Sequence, residues 1–412
     1  MKTRMNKPGK AGRAHRLCWL LALMLLPFVS ASAQQRLSPS AQISLLTAGP
    51  GEDLYSVFGH TAIRIYDPAQ NIDRTYGWGG FRFSENNFYV KFLRGTLPYY
   101  IDAYDMYLFA YAYQQENRTL REQMLNLTTA QKERLMDVLE TNMRPENRTY
   151  QYKFFYDNCA TRPRDKIAEA CGDSLTIPSR SVMTGKSYRD WMNQYLGEKA
   201  WARLGMNLAI GRPADEQTDG WHAMYLPEQV HNQLAHARLR QASGQIVPLV
   251  SSDRTLFEGQ RTFPQELPFI FDPNVVFALL GVAIAFFTIR RYQQGVVDRW
   301  LDRLLFCFSG VCGWFLFLLW VATDHGVTAW NPTLLYLMPL HLPLIYWVTG
   351  ATTTARRRTL YFGATAVLIL LGMLLSNVPG GVDVIFPVTL LVRCLVNLQP
   401  VRAGKQFPAR LA

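Results

Sequence analysis

The chain has 412 residues, of which 49% are apolar and 18% are charged, and its formal net charge is +12. Soluble domains usually contain about 25% charged residues, so the deficit indicates a membrane component. Residues 34–273 carry 26 basic and 27 acidic side chains, which places the excess charge outside this region. A nucleic-acid-binding protein keeps its excess charge on its folded surface, so nucleic acid is excluded as a partner.

Residues 1–33 are predicted to be a secretory signal peptide. Six basic residues precede an apolar run over residues 17–29, and Ala31-Ser32-Ala33 forms an A-x-A cleavage site before Gln34. The residues leave open whether this segment is cleaved or kept as an anchor. Residues 34–240 are then expected to form one exported α+β domain, with residues 241–273 as a linker to the membrane.

A hairpin is predicted near the start of the exported domain. The β-prone segments 62–66 and 74–78 flank a turn-rich stretch, and His60 precedes the first strand. A helix is predicted over residues 129–143 because Thr128 and Gln131 form a capping pair.

Cys159 is a candidate nucleophile at the start of a second predicted helix. The aromatic segment 152–158 leads into this helix, where unpaired N–H groups and the helix dipole favour a thiolate. Arg162 and Arg164 add positive charge, although they could instead pair with neighbouring carboxylates. A disulfide to Cys171 is disfavoured because twelve helical residues separate the two sulfurs by roughly 18 Å. A buried, inert thiol is the alternative.

A thiol nucleophile needs a base within reach, and His60 is the candidate for that role. Asp73, across the hairpin, is the candidate for orienting the imidazole, with Tyr76 behind it; Asp73 could equally cap a turn. His222, His231 and His236 lack the usual metal-ligand spacing, so no metal is expected.

Five membrane helices are predicted over residues 274–289, 304–321, 333–348, 360–375 and 382–398. The basic residues between and after them fall on one side, which puts the N-terminal domain outside and the C-terminal tail, residues 399–412, in the cytoplasm. Asp324 and His325 lie in a loop at the outer end of the second helix. They are either part of a solvated loop or a site that shapes an entrance for lipid or peptide.

The motifs Ser56-Val57-Phe58-Gly59-His60-Thr61-Ala62-Ile63-Arg64 and Tyr156-Asp157-Asn158-Cys159-Ala160-Thr161-Arg162 resemble the Lnb family of bacterial lipoprotein N-acyltransferases. The resemblance covers nearly the whole mature chain. More distantly, a histidine before a cysteine that opens a helix is similar to permuted papain-like folds, which include lecithin:retinol acyltransferase relatives and cell-wall peptidases.

The resemblance implies an inner-membrane enzyme with a permuted papain-like periplasmic domain and a five-helix membrane domain. It implies acyl transfer from a phospholipid through Cys159 to the α-amino group of a lipoprotein, without a cofactor. His60 would move the proton, and Asn158, Tyr76, Arg162 and Arg164 would support substrate or oxyanion. Relatives often have a second histidine or another polar third member, where this sequence offers Asp73 and Tyr76. The alternatives are a membrane-anchored cysteine peptidase or amidase and a non-enzymatic assembly protein.

Overall fold

The structure is a computed structural model that describes residues 36–197, 199–260, 268–378 and 380–399. The predicted signal peptide, residues 1–33, and the predicted tail after Gln399 lie outside the described residues. The chain from Ser38 onward contains an N-terminal α+β domain and a C-terminal helical domain. This arrangement confirms the predicted fold class; the permuted papain-like connectivity stays a prediction.

A seven-stranded antiparallel sheet with the order β12-β5-β1-β2-β3-β4-β6 is the centre of the N-terminal domain. Two smaller sheets, β11-β10-β7 and β8-β9, lie beside it. The strands are β1 (Gln42–Ala48), β2 (His60–Asp67), β3 (Ile72–Gly80), β4 (Pro98–Asp105), β5 (Leu120–Leu125), β6 (Thr149–Gln151), β7 (Leu175–Thr176), β8 (Met183–Ser187), β9 (Gln217–Asp219), β10 (Arg238–Arg240), β11 (Ile246–Pro248) and β12 (Val250–Phe257).

Eight helices accompany these strands in the described part of the N-terminal domain. They are α1 (Phe88–Arg94), α2 (Met106–Gln115), α3 (Thr129–Met143), α4 (Thr161–Cys171), α5 (Tyr188–Tyr195), α6 (Ala200–Ala209), α7 (Gly220–Ala223) and α8 (Pro227–Ala235). The predicted helix over 129–143 is confirmed as α3, and the Thr128–Gln131 capping box opens it.

Helices cover both faces of the main sheet. Neighbouring residues of a strand point to opposite faces, so each strand contributes side chains to the packing on both sides. On β3, the Tyr76 hydroxyl donates to Glu140 Oε1 and the Trp78 indole donates to Asn142 Oδ1, both on α3. On the other face, Ala62 of β2 packs in a cluster with Phe109 of α2. The site residues on β2 and β3 are therefore positioned by a sheet that is packed on both faces.

The N-terminal domain extends beyond the predicted boundary at residue 240. Strands β11 and β12 lie inside the segment predicted as a linker, and β12 pairs with β5 at the edge of the main sheet. The serines and prolines of this segment indicated a linker, but an edge strand pairs through its backbone groups, so the exposed polar side chains of β12 are compatible with its place beside β5.

The C-terminal domain contains α9 (Pro273–Gln293), α10 (Arg299–Val321), α11 (His341–Thr349), α12 (Ala355–Leu375) and α13 (Val382–Leu398). In the described residues, α9, α10 and α12 are long and apolar enough to cross a membrane. The third predicted helix, over 333–348, is interrupted: a 3-10 turn, Pro332–Leu335, precedes the nine-residue α11. Pro339 lacks the N–H that a continuous helix needs, so α11 spans only about 13 Å.

Candidate active site

Two glycines on β3 leave space for the candidate catalytic residues. A Cβ at Gly77 would lie 3.1 Å from His60 Nε2, and a Cβ at Gly79 would lie 3.5 Å from Cys159 Cβ. Consecutive same-face residues on a strand are about 7 Å apart, so the imidazole and the thiol occupy adjacent positions along β3. The structure thereby brings together the two residues that the sequence analysis selected as base and nucleophile.

Aromatic side chains surround His60. The Tyr113 ring stacks on the imidazole with a centroid distance of 6.5 Å, and Phe109 approaches at the same distance. The Arg118 guanidinium carbon lies 4.7 Å from the centre of the Tyr113 ring. Burial, together with the positive charge of Arg118, lowers the pKa of His60 to about 4, so the imidazole is neutral near pH 7.

Cys159 lies two residues before α4, in a turn that the Asn158 side chain holds. The buried Asn158 Oδ1 accepts the N–H groups of Ala160, at 2.8 Å, and Thr161, at 3.0 Å. The Asn158 amide donates to the carbonyl oxygens of Phe154 and Tyr225. Asn158 is therefore a positioning residue for the cysteine, since its polar atoms are occupied by backbone groups rather than directed at a substrate.

The Cys159 thiol is partly accessible but sits in a desolvated environment. Burial raises its pKa to about 11, although hydrogen bonds from the Thr61 backbone N–H and the Tyr152 hydroxyl, with the charge of Arg118, act in the opposite direction. The thiolate expected from the helix start is not the resting form. The desolvation outweighs the helix terminus, where Asn158 already occupies two of the N–H groups.

The structure does not bring Asp73 or Tyr76 to the imidazole. Asp73 is paired with Tyr66 in the hairpin register, about 20 Å along β2 from His60. Its carboxylate forms a bidentate ion pair with Arg64 at 2.7 and 2.8 Å. Tyr76 points to α3 on the opposite face of the sheet. The expectation that they orient His60 is therefore corrected, because hairpin position alone does not fix distance or face.

Two family models match the chain. The first, described as the Lnb N-terminal periplasmic domain, matches residues 31–191, which include His60 and Cys159. The second, described as the Lnb transmembrane domain, matches residues 265–402. The chain belongs to the Lnb family. It is accordingly an inner-membrane protein associated with lipoprotein biogenesis, with a periplasmic domain. Searches of curated proteins and of solved structures found no match.

Both arginines after the cysteine of this Lnb chain are paired. Arg162 forms a bidentate ion pair with Asp157 at 2.6 and 2.7 Å, and its guanidinium covers the Tyr150 ring. Arg164 pairs with Asp165 and donates to the Trp221 carbonyl oxygen. Of the two possibilities that the sequence left open, the structure therefore shows pairing, which fixes the loop and helix around Cys159.

Asp324 and His325 form a contact between the two domains of the Lnb chain. The Asp324 N–H donates to the Arg94 carbonyl oxygen at 2.8 Å, and His325 Nε2 lies 2.9 Å from the Leu93 carbonyl oxygen. Gln151 and Lys153 also bind Asp324, so the loop is attached close to the segment that leads to Cys159. These residues are neither a free solvated loop nor part of the thiol–imidazole pair.

Sequence reasoning missed the neighbours that define the site in this Lnb chain. Tyr113 and Tyr152 lie in aromatic stretches whose individual members could not be ranked, and Gly77 and Gly79 lie in a Gly-Trp-Gly-Gly run. Arg118 lies in a polar stretch of the sequence that gives no sign of burial, but its side chain is buried. Among the described residues, no group of three or more His, Cys, Asp or Glu side chains could hold a metal ion.

Proposed function

We propose that this Lnb chain is a lipoprotein N-acyltransferase. It transfers an acyl chain from a membrane phospholipid through a Cys159 thioester to the α-amino group of a diacylglyceryl-cysteine lipoprotein. The observation that supports this most is the placement of a thiol and a neutral imidazole at adjacent positions along β3, in a domain attached to membrane helices. We also propose five membrane passes with a cytoplasmic C-terminus, from the distribution of basic residues.

The first half-reaction forms the thioester. Cys159 Sγ attacks the ester carbonyl carbon as His60 removes the thiol proton, so charge develops only when substrate is present. The backbone N–H groups of Thr61 and Cys159, which lower the pKa of the thiol, are the candidates for stabilising the oxyanion. Collapse breaks the ester C–O bond, and the His60 proton passes to the departing lysophospholipid oxygen.

The second half-reaction moves the acyl group to the lipoprotein. The neutral α-amino group attacks the thioester carbonyl, and His60 accepts the proton that the nitrogen loses as the amide forms. The C–S bond breaks, and the proton on His60 returns to the sulfur. The products are an N-acylated lipoprotein and the starting thiol, so the cycle closes without a cofactor.

The aromatic setting of the pair suits this chemistry. Tyr113 and Phe109 limit imidazole rotation by packing, a role that a carboxylate fills in many Cys–His enzymes. The Tyr152 hydroxyl stabilises the sulfur as it becomes anionic, since its hydrogen bond lowers the pKa of the thiol. Low water access around the thioester also favours attack by an amine over hydrolysis.

The test is mass spectrometry of a synthetic diacylglyceryl-cysteine lipopeptide after incubation with purified full-length protein in phospholipid vesicles. The wild type is expected to add one acyl chain to the peptide, and Cys159→Ser is expected to add none. Cys171→Ser is the matched control, because Cys171 is also a free cysteine and lies at the other end of α4. A shortened peptide would instead identify a peptidase or amidase, and an unchanged mass with wild-type protein would refute the proposal.

A further inference from the structure

Helix α1 exposes an unusual amount of apolar surface. Tyr89 is 76% exposed, Val90 is 56% exposed, and Phe92 and Leu93 are each 51% exposed. Phe83, just before the helix, is 72% exposed. Contiguous exposed apolar surface of this kind marks a binding surface for a protein or a membrane, and the position of α1 distinguishes the two.

Hydrogen bonds attach the C-terminal end of α1 to the loop that follows α10. The carbonyl oxygens of Leu93 and Arg94 contact His325 and the Asp324 N–H. Asp324 is three residues beyond Val321, the last residue of the membrane-spanning helix α10, so at most about 10 Å of chain separates them. The headgroup layer on each side of the hydrocarbon core is about 5–7 Å thick, which puts the end of α1 at or beside that layer.

The composition of α1 also matches a helix that lies in the headgroup layer. Its exposed aromatic and aliphatic side chains are accompanied by the exposed Arg94 in the last turn, whereas Lys91 pairs with Glu85 at 2.6 Å. Aromatic rings are favoured at this depth, and basic side chains can reach lipid phosphates from it. A membrane is favoured over a protein partner for this surface, because hydrogen bonds attach the end of α1 to the membrane domain.

A chain of aromatic contacts leads from α1 to the thiol. Phe92 stacks on Phe88 at a centroid distance of 6.2 Å, and Phe88 contacts Phe81 at 5.9 Å. Tyr99 then contacts Phe81 at 5.6 Å and Tyr152 at 4.7 Å. Tyr152 donates its hydroxyl to Cys159. The rings thus form a continuous, mainly apolar surface between the exposed helix and the candidate nucleophile.

We propose that α1 inserts its apolar face into the outer leaflet and that the aromatic residues from Phe92 to Tyr152 guide a phospholipid acyl chain to Cys159. The membrane contact stands on the geometry alone, whereas the role as an acyl-chain path rests on the proposed acyltransferase function. The path gives the donor a route from bilayer to thiol along apolar side chains, so the acyl chain need not cross water.

Photocrosslinking tests the membrane contact without requiring activity. p-Benzoylphenylalanine is incorporated in place of Val90 in the full-length protein, which is reconstituted in vesicles of phosphatidylethanolamine and phosphatidylglycerol. The matched control carries the same residue in place of Ile246, an aliphatic side chain on β11 that is 63% exposed. After irradiation, the protein labelled at position 90 is expected to gain the mass of one phospholipid, and the control is not. If the protein labelled at position 90 gains no phospholipid mass after irradiation, the proposal is overturned.

Acyl transfer from the same vesicles tests the path. The double variant Val90→Glu/Leu93→Glu is expected to slow lipopeptide acylation about tenfold or more, because two carboxylates oppose insertion into the leaflet. Ile246→Glu is the matched control at the wild-type rate, and thermal unfolding checks that each variant is folded. If the double variant acylates the lipopeptide at the wild-type rate, the proposed acyl-chain path from α1 is overturned. If the wild-type protein is inactive but still crosslinks to lipid, the acyltransferase function is refuted and the membrane contact remains supported.

Discussion

Alkylation of Cys159 provides a sharp test of the electrostatics of the site. With a pKa raised to about 11, the fraction of thiolate at pH 7 is about 10⁻⁴, against about 10⁻² for a thiol at its ordinary value of 9.0. Because the thiolate is the reacting form, iodoacetamide should modify Cys159 about 100-fold more slowly than an ordinary exposed thiol. The rate should rise about tenfold per pH unit between pH 6 and pH 9.

Tyr152→Phe changes this reactivity by removing one hydrogen bond to the ionised sulfur. A hydrogen bond to a charged group contributes about 1.5 kcal/mol, which corresponds to about one pKa unit. The variant should therefore react about tenfold more slowly than wild type at each pH in that range. His60→Ala should leave the pH dependence unchanged, since a neutral imidazole provides no charge that stabilises the thiolate.

The measurement is quantitative peptide mapping of the Cys159 peptide after timed alkylation of the folded, full-length protein. Mapping separates Cys159 from the other cysteines of the chain, and unfolded protein provides the reference rate. A Cys159 rate that is already maximal and independent of pH above pH 7, and that falls in His60→Ala, would refute the reasoning. That result would identify a resting thiolate–imidazolium pair.

Two further substitutions test the placement of residues around the pair. Gly77→Ala should reduce acyl transfer about tenfold in lipopeptide assays, because its Cβ would lie 3.1 Å from His60 Nε2 and displace the ring. Gly205→Ala is the control and should retain the wild-type rate, because its Cβ would have no neighbour within 4 Å. Equal rates in the two variants would contradict the geometry. Asp73→Asn should keep acyl transfer near the wild-type rate. It should weaken the ion pair with Arg64 and lower the free energy of unfolding by about 1 kcal/mol, measured by thermal unfolding. Loss of activity in a stably folded variant would restore Asp73 as a site residue.

The sequence predicted a cysteine and a histidine that the structure places close together, but it did not predict their surroundings. His60 and Cys159 could be predicted because a glycine–histidine pair at a strand start and an asparagine–cysteine pair at a helix start are local patterns. The group that orients the imidazole could not be predicted, because Asp73 is near His60 only if the hairpin register is ignored. The aromatic packing on His60 comes from α2, whose position on the sheet is a tertiary property.

The protonation state of Cys159 and the continuity of the third membrane helix also could not be predicted from the sequence. The helix start at Cys159 indicated a thiolate, but the N–H groups of Ala160 and Thr161 bind Asn158, and burial raises the pKa of the thiol. Hydropathy predicted a third helix over residues 333–348, yet Pro339 and close packing against Gly313 of α10 interrupt it. Composition reveals apolar segments, whereas their continuity depends on backbone hydrogen bonding and neighbouring helices.

Detection of the acyl-enzyme tests the central claim most directly. Full-length protein is incubated with phospholipid vesicles in the absence of lipopeptide and then analysed by intact-mass and peptide mass spectrometry. The account predicts a gain of one acyl chain on the Cys159 peptide, which neutral hydroxylamine removes and added lipopeptide discharges. N-acylation of the lipopeptide by a protein that never carries an acyl group on Cys159 would contradict it.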